Sequence, residues 1–268
     1  MQANEITTFS LINLTTGYHL RNHDKVLSPS LTADLRRGEL TCLLGSNGVG
    51  KSTLLRTMAR FQPALGGEIL LFEKPLSDYS SDELAQQIGV VLTDKLPTAS
   101  LRVEELVAMG RMPFTGFWGA LNKIDLEIVE DSLAAVGMRA FGHRRMTTLS
   151  DGEMQKIMIA KALAQQTPVI LLDEPVAFLD FPSKVEILGL LQELAREKHK
   201  AILLSIHDLE LALQTADRLW LLNDDGNLEQ GSPHELAEKG CLDFFFKSKG
   251  LTFNRQSLQY TYVKSVDK

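Results

Sequence analysis

The sequence predicts an α/β fold built on a mainly parallel sheet, and three features carry that expectation. Short apolar runs of strand length recur at residues 40–44, 88–92, 169–172 and 201–206, with helical patterns between them. Runs without polar alternation suit strands buried on both faces, and alternation with helices implies a sheet covered on both sides. A glycine-rich stretch, Gly45 to Thr53, stands between the first run and a helix-forming segment. A block with helical periodicity, residues 103 to about 166, interrupts the alternation as an insert.

Taken in order, Phe9 and Leu11, then Leu31, Ala33 and Leu35, alternate with polar neighbours as half-buried strands do. Tyr18 falls in the polar connection between them. Arg37-Gly38 marks a turn before the run at 40–44, and Pro63 with Gly66-Gly67 ends the helix after the glycine-rich stretch. Residues 69–72 read as a strand. Ser80 and Glu83 make a capping box that starts a short helix before 88–92. In the helical block, Leu126, Val129, Leu133 and Val136 form one apolar stripe, ended by Gly137. Residues 114–121, with Phe117 and Trp118 among glycines, break the block as a loop. Ile187, Leu190, Leu191 and Leu194 share one face of a helix ending near Lys200, and a further helix covers 209–215. Strands at 219–222 and 228–230 flank Asp225-Gly226, a hairpin signal. Ser232, Pro233 and Glu235 open the last helix with a cap, a first-turn proline and a box partner. Phe244, Phe245 and Phe246 are expected to pack the C-terminal segment onto the core, since three adjacent exposed phenylalanines would invite aggregation.

The 268 residues, 44% hydrophobic and 23% charged, can fill a sizeable core. A net charge of −6 argues against a nucleic-acid footprint and gives no polybasic membrane anchor. Cys42, inside an apolar run, is expected as a buried free thiol, and its distance from Cys241 argues against a disulfide or a metal pair. Nothing approaches the ~20 apolar residues of a membrane helix, and the N-terminus lacks an apolar signal core. A soluble protein in a reducing compartment is expected, one that reaches a membrane only through a partner's spans.

Residues Gly45-Ser46-Asn47-Gly48-Val49-Gly50-Lys51-Ser52-Thr53 fit the P-loop pattern G-x-x-x-x-G-K-[ST] in its proper strand–loop–helix setting. Glycines let successive N–H groups converge on an anion, and the helix that follows turns its positive end to the same phosphates. Lys51 then reaches the β- and γ-phosphates and the Ser52 hydroxyl holds Mg²⁺. The run at 169–172 ends in Asp173-Glu174. Adjacent residues on an extended chain point opposite ways, so Asp173 is expected to serve the metal and Glu174 to orient or deprotonate the attacking water.

Between these motifs lies Leu149-Ser150-Asp151-Gly152-Glu153-Met154-Gln155, which resembles the Leu-Ser-Gly-Gly-Gln signature of the ATP-binding cassette (ABC) ATPases. The remaining order is similar to that family over about residues 5 to 235. Tyr18 matches the aromatic that stacks on adenine, Phe178-Leu179-Asp180 the D-loop, and His207 the switch histidine. The resemblance implies a RecA-like P-loop NTPase core with an N-terminal antiparallel β-subdomain and an inserted helical signature subdomain. In these terms residues 1–92 and 167–235 form the core and β-subdomain, 93–166 the helical subdomain, and 236–268 a C-terminal extension. It also implies a homodimer of cassettes with two ATPs between them, each P-loop facing the Ser150, Asp151, Gly152 and Glu153 of the other copy. Lys51, Glu174 and His207 are the catalytic residues it implies, and Asp180 belongs to the D-loop.

The sequence departs from the family at two places. Asp151 and Glu153 stand where glycine and glutamine are usual, and Asp151 is expected to point outward. Thr93-Asp94 stands where a glutamine usually touches Mg²⁺, so Thr93 is the expected metal neighbour, with Asp94 as its alternative. Gly110-Arg111-Met112-Pro113 resembles the Gly-Arg-x-Pro segment of importer ATPases for ferric siderophores, haem and cobalamin. That branch implies two transmembrane permease subunits, a substrate-binding protein beyond them, and a peripheral place on the cytoplasmic face of the cell membrane. Residues 93–100 and 114–118 are then expected at the permease, unless Phe117 and Trp118 fill the helical block's own core. A soluble cassette ATPase for iron–sulfur assembly and an exporter ATPase remain alternatives, and the transported ligand is not written in this chain.

Overall fold

The computed structural model describes residues 7–21, 23–92, 100–116, 119–243 and 251–262. The chain opens with β1 (Thr7–His19) and β2 (Asp24–Arg36), paired antiparallel so that Phe9 faces Leu35, Leu11 faces Ala33 and Leu14 faces Leu31. These six side chains are buried, as their alternation requires. After β3 (Leu40–Leu44) and α1 (Lys51–Met58), β4 (Gly66–Leu71) returns beside β1 and carries the short β5 (Lys74–Pro75). The antiparallel sheet has the order β2-β1-β4-β5.

The capping box of Ser80 and Glu83 opens α2 (Ser81–Gln87), which leads into β6 (Ile88–Val91). The helical block follows as α3 (Val103–Ala108), α4 (Lys123–Ala135) and α5 (Asp151–Ala164). The chain then alternates through β7 (Val169–Leu172), α6 (Phe181–Lys198), β8 (Ala201–Ser205), α7 (Leu209–Thr215), β9 (Arg218–Leu222), β10 (Leu228–Gly231) and α8 (Pro233–Glu238). A hairpin of β11 (Leu251–Asn254) and β12 (Gln259–Tyr262) ends the described chain. The large sheet has the order β10-β9-β3-β8-β7-β6, parallel throughout except at β10. Leu43 faces Leu54, Leu55 and Met58 of α1 and the antiparallel sheet, while Cys42 and Leu44 face the core that holds Ile187 and Leu191 of α6. With both faces covered, β3, β7 and β8 can be wholly apolar except for one polar side chain each at most. Cys42 is a buried free thiol, and burial pushes its ionisation well above the usual range.

Three expectations change. Tyr18 lies within β1, opposite Lys25, rather than in a connection. Register shifts between Leu11 and Leu14 and again before Gly17 carry the strand past the point where its alternation breaks. Leu126 is 55% exposed and does not join the stripe of Val129, Leu133 and Val136. Its neighbour Asp125 is buried instead, because Arg111 meets it. Arg111 Nε donates to Asp125 Oδ1 at 3.0 Å, and Nη1 donates to the Ala164 carbonyl at 2.7 Å and to Gln166 Oε1 at 3.2 Å. Gly110 allows this, since a Cβ there would lie 2.4 Å from the Lys161 carbonyl oxygen. The Gly-Arg-x-Pro segment is thus a joint between α3, α4 and the end of α5. Finally, Glu174 is not extended. Its φ of 50° is left-handed, so its side chain leaves that of Asp173 by a turn and not by pleat alternation. Thr93, Asp94, Phe117, Trp118 and residues 244–246 lie outside the described residues, and so do the expectations placed on them.

Candidate nucleotide site

The site forms at the C-terminal ends of β3 and β7, where the loops leave the sheet. Gly45 follows β3 so closely that a Cβ on it would sit 2.5 Å from the Leu222 carbonyl oxygen. Gly50, at φ 116°, is the N-cap of α1 in a conformation that side chains rarely adopt. Between them Ser46, Asn47 and Gly48 are exposed and Val49 is half-buried. Lys51 begins α1 and is almost wholly buried, with Nζ donating to the carbonyls of Gly45 at 2.8 Å and Ser46 at 3.0 Å. Burial lowers its affinity for its proton, while the charges of Glu174 and Asp173 work the other way. Tyr18 reaches the same helix, its hydroxyl sharing a 2.7 Å hydrogen bond with Thr53 Oγ1 while the residue stays 45% exposed. Ser52 stands between Lys51 and Thr53, half-buried.

Asp173 is buried and its Oδ1 accepts from Ser205 Oγ at 2.7 Å. The same Ser205 hydroxyl oxygen accepts from the Glu174 amide at 2.8 Å, so one side chain fixes both acidic residues. Glu174 Oε1 in turn accepts from His207 Nε2 at 2.5 Å, which requires the proton on that nitrogen. Lys51, Asp173, Glu174 and His207 therefore form one electrostatically connected group.

The signature residues stand elsewhere. Ser150 is the N-cap of α5, closed by a capping box with Glu153, and Asp151 is the exposed first residue of the helix. A Cβ on Gly152 would lie 3.2 Å from the Phe178 carbonyl oxygen, so this helix end rests on the segment that leads to Asp180. Asp180 caps α6 by accepting from the Ser183 amide at 3.1 Å, and its bonds with Ser183 hold its carboxyl below the usual range.

Two residues at this site were missed. Ser205 had a signal, as a hydroxyl in the apolar run Ala201–Ser205 where only a specific partner would justify burial. Asp224 had none. It accepts a hydrogen bond from Ser46 Oγ across the turn between β9 and β10. That turn is braced by Asn223 Oδ1, which accepts from the amides of Asp225 and Asn227. Its Gly226 abuts β2, where a Cβ would lie 2.4 Å from the Leu27 carbonyl oxygen.

This architecture defines a nucleotide-binding cassette, and the comparisons agree. The family described as "ABC transporter" matches residues 29–177. The ferric enterobactin transport ATP-binding protein FepC of Escherichia coli (strain K12) is 35% identical over 224 residues, covering 84% of this chain and 81% of that protein. The petrobactin import ATP-binding protein FpuD of Bacillus anthracis is 36% identical over 224 residues, covering 84% and 82%. A dimeric bacterial ABC transporter cassette superposes with a TM-score of 0.74 at 25% identity, over 84% of this chain and 98% of that one. An inward-facing ABC transporter of metal-chelate type gives a TM-score of 0.75 at 26% identity, over 96% and 97%. The chain belongs to the ABC transporter family.

Proposed function

We propose that this chain is the ATP-hydrolysing subunit of an importer for iron complexes, acting as a pair of cassettes beneath two permease subunits. The observation that carries this reading is the group Lys51–Asp173–Glu174–His207 in a chain about one-third identical to ATP-binding proteins named for ferric enterobactin and petrobactin. Residues 1–92 and 167–235 serve as the core with its β-subdomain, 93–166 as the signature block and 236–268 as an extension. No helix among the described residues is long and apolar enough to cross a membrane. The permeases supply the spans, and the chain works peripherally on their cytoplasmic side, with a substrate-binding protein delivering ligand to them.

The residues suit ATP and Mg²⁺. Gly48 and Gly50 keep positive φ and leave a cradle of backbone amides, with Lys51 held at its edge by two loop carbonyls. Ser52 and Asp173 offer the hydroxyl and carboxylate oxygens that Mg²⁺ takes. When bound, Mg²⁺ offsets charge on the β- and γ-phosphate oxygens. Lys51 gives its ammonium to the same phosphates. Glu174 accepts the proton of the attacking water, and His207 keeps that carboxylate aimed. Ser150 and the α5 amides of the partner copy close over the γ-phosphate, and Asp180 lies at the same boundary.

Met112 and Phe114 are exposed where α2 meets the Gly-Arg-x-Pro segment, with Gln86 Nε2 donating to the Pro113 carbonyl at 3.0 Å, and Phe61 is exposed beside Ser81, Leu84 and Ala85 of α2. An apolar surface of this kind marks an interface, and here the permease is its partner.

Gentle purification from membranes should bring down a permease, and a ferric siderophore on its binding protein should stimulate ATP turnover. Recovery of the chain free of any membrane subunit, with ATPase activity indifferent to iron complexes, would count against import. Tyr18→Ala should weaken ATP binding about tenfold, the low end of the ~1–3 kcal/mol that base–aromatic stacking supplies. Tyr18→Phe, which loses only the bond to Thr53, should bind nearly as wild type. Equal nucleotide isotherms for Tyr18→Ala and wild type would remove Tyr18 from the adenine site.

A further inference from the structure

We infer that Glu153 sets the ATP concentration at which two cassettes close, by holding the one proton that the Ser150 hydroxyl can give to a phosphate oxygen. The inference rests on the proposed pairing of each P-loop with the partner's signature. Among the described residues, three capping boxes pair a serine with a glutamate. In all three, the serine amide donates to the glutamate carboxylate and the glutamate amide donates to the serine hydroxyl oxygen. These are Ser80 with Glu83, Ser150 with Glu153, and Ser232 with Glu235. In the Ser150 box the hydroxyl is also turned toward the carboxylate, with Ser150 Oγ donating to Glu153 Oε2 at 3.1 Å. A serine hydroxyl has a single proton to give. While it goes to Glu153 it cannot go to an incoming phosphate.

The glutamate is also fixed from its far side. Arg144 Nη1 lies 3.8 Å from Glu153 Oε1. Arg144 is itself anchored, with Nη2 donating to the Thr148 carbonyl at 2.7 Å and the guanidinium 4.7 Å from the centre of the Phe141 ring. The bonds from Ser150 hold the Glu153 carboxyl below the usual glutamate range, so it is an anionic acceptor at neutral pH. Hydrogen bonds to an ionised acceptor are roughly twice as strong as neutral ones. A phosphate oxygen therefore has to displace a charged competitor to engage Ser150. A glutamine keeps the amide oxygen that completes the box but carries no charge. Glu153 acts through Ser150 and is a positioning residue.

The test measures ATP-driven dimerisation by sedimentation in a Glu174→Gln background, where the nucleotide persists. Glu153→Gln should lower the ATP concentration for half-maximal dimer about three- to tenfold, in line with the difference between charged and neutral hydrogen bonds. In a Ser150→Ala background the same change should produce no shift. An unchanged or raised ATP requirement in Glu153→Gln overturns the inference. So does a gain that survives without Ser150, because that would be simple charge repulsion. Ser150→Ala alone separates the two levels. If it leaves dimerisation untouched, the pairing of P-loop and signature falls and the inference falls with it. If it impairs dimerisation while Glu153→Gln changes nothing, only the role of Glu153 is lost.

Discussion

Glu174→Gln is expected to stop ATP turnover while ATP still binds, so that the protein accumulates as an ATP-loaded dimer. The substitution keeps the side chain's size and its bond to His207, and the left-handed backbone at 174 stays braced by Ser205. It replaces the carboxylate proposed to take the water's proton by a carboxamide, which cannot act as that base. Loss of a positioned general base typically costs about 10²–10⁴ in rate. Phosphate release in a single turnover, compared with nucleotide binding on the same sample, separates chemistry from affinity. A rate within tenfold of wild type would mean that another group accepts the proton. Neither Asp173 nor Asp180 offers a ready substitute, since the first is tied to Ser205 and the second caps α6.

Arg111→Ala is expected to be the most damaging change outside the site, destabilising the chain by about 3–5 kcal/mol, the usual effect of breaking a buried ion pair. The substitution strips the guanidinium from Asp125 and from the Ala164 carbonyl at the end of α5, and it opens a cavity beside Phe114. A double replacement, Arg111→Met with Asp125→Leu, should recover much of the loss, because apolar pairs of similar volume often replace buried ion pairs without penalty. The pH dependence has a definite sign. The Asn122 amide and then Arg111 hold the Asp125 carboxyl below its ordinary value. Its contribution is complete above the unfolded value near ~4 and disappears as pH falls through the lower folded one. Arg111→Ala should therefore flatten the acid limb of stability against pH. Urea unfolding at several pH values measures both effects, and a loss below about 1 kcal/mol would contradict the role of the joint.

What could be read from the sequence was what the sequence holds locally. The P-loop, the serine and aspartate caps of α2, α5, α6 and α8, and the apolar strands each depend on residues within a few positions of one another. The alternation puts Tyr18 outside β1 because irregular register breaks the strand's period of two. Helical spacing puts Leu126 in the stripe, since it cannot show that Asp125, one position earlier, is buried by a cation from another segment. Ser205 and Asp224 belong to the site through partners about 30 and 180 positions away, a relation that spacing does not reveal. The Gly-Arg-x-Pro segment was visible as a pattern, whereas its physical work as a joint emerged only when Ala164 and Asp125 were brought around Arg111.

The turn between β9 and β10 has a practical consequence. Exposed hairpin tips are the usual places to lengthen a chain or to graft a tag, because nothing depends on them. This tip grips Ser46 through Asp224 on one side and presses Gly226 against Leu27 of the antiparallel sheet on the other. It joins the strand pair that carries Tyr18 to the loop that carries Lys51. A label inserted at residues 223–227 would therefore disturb nucleotide affinity from a position that looks dispensable on the surface.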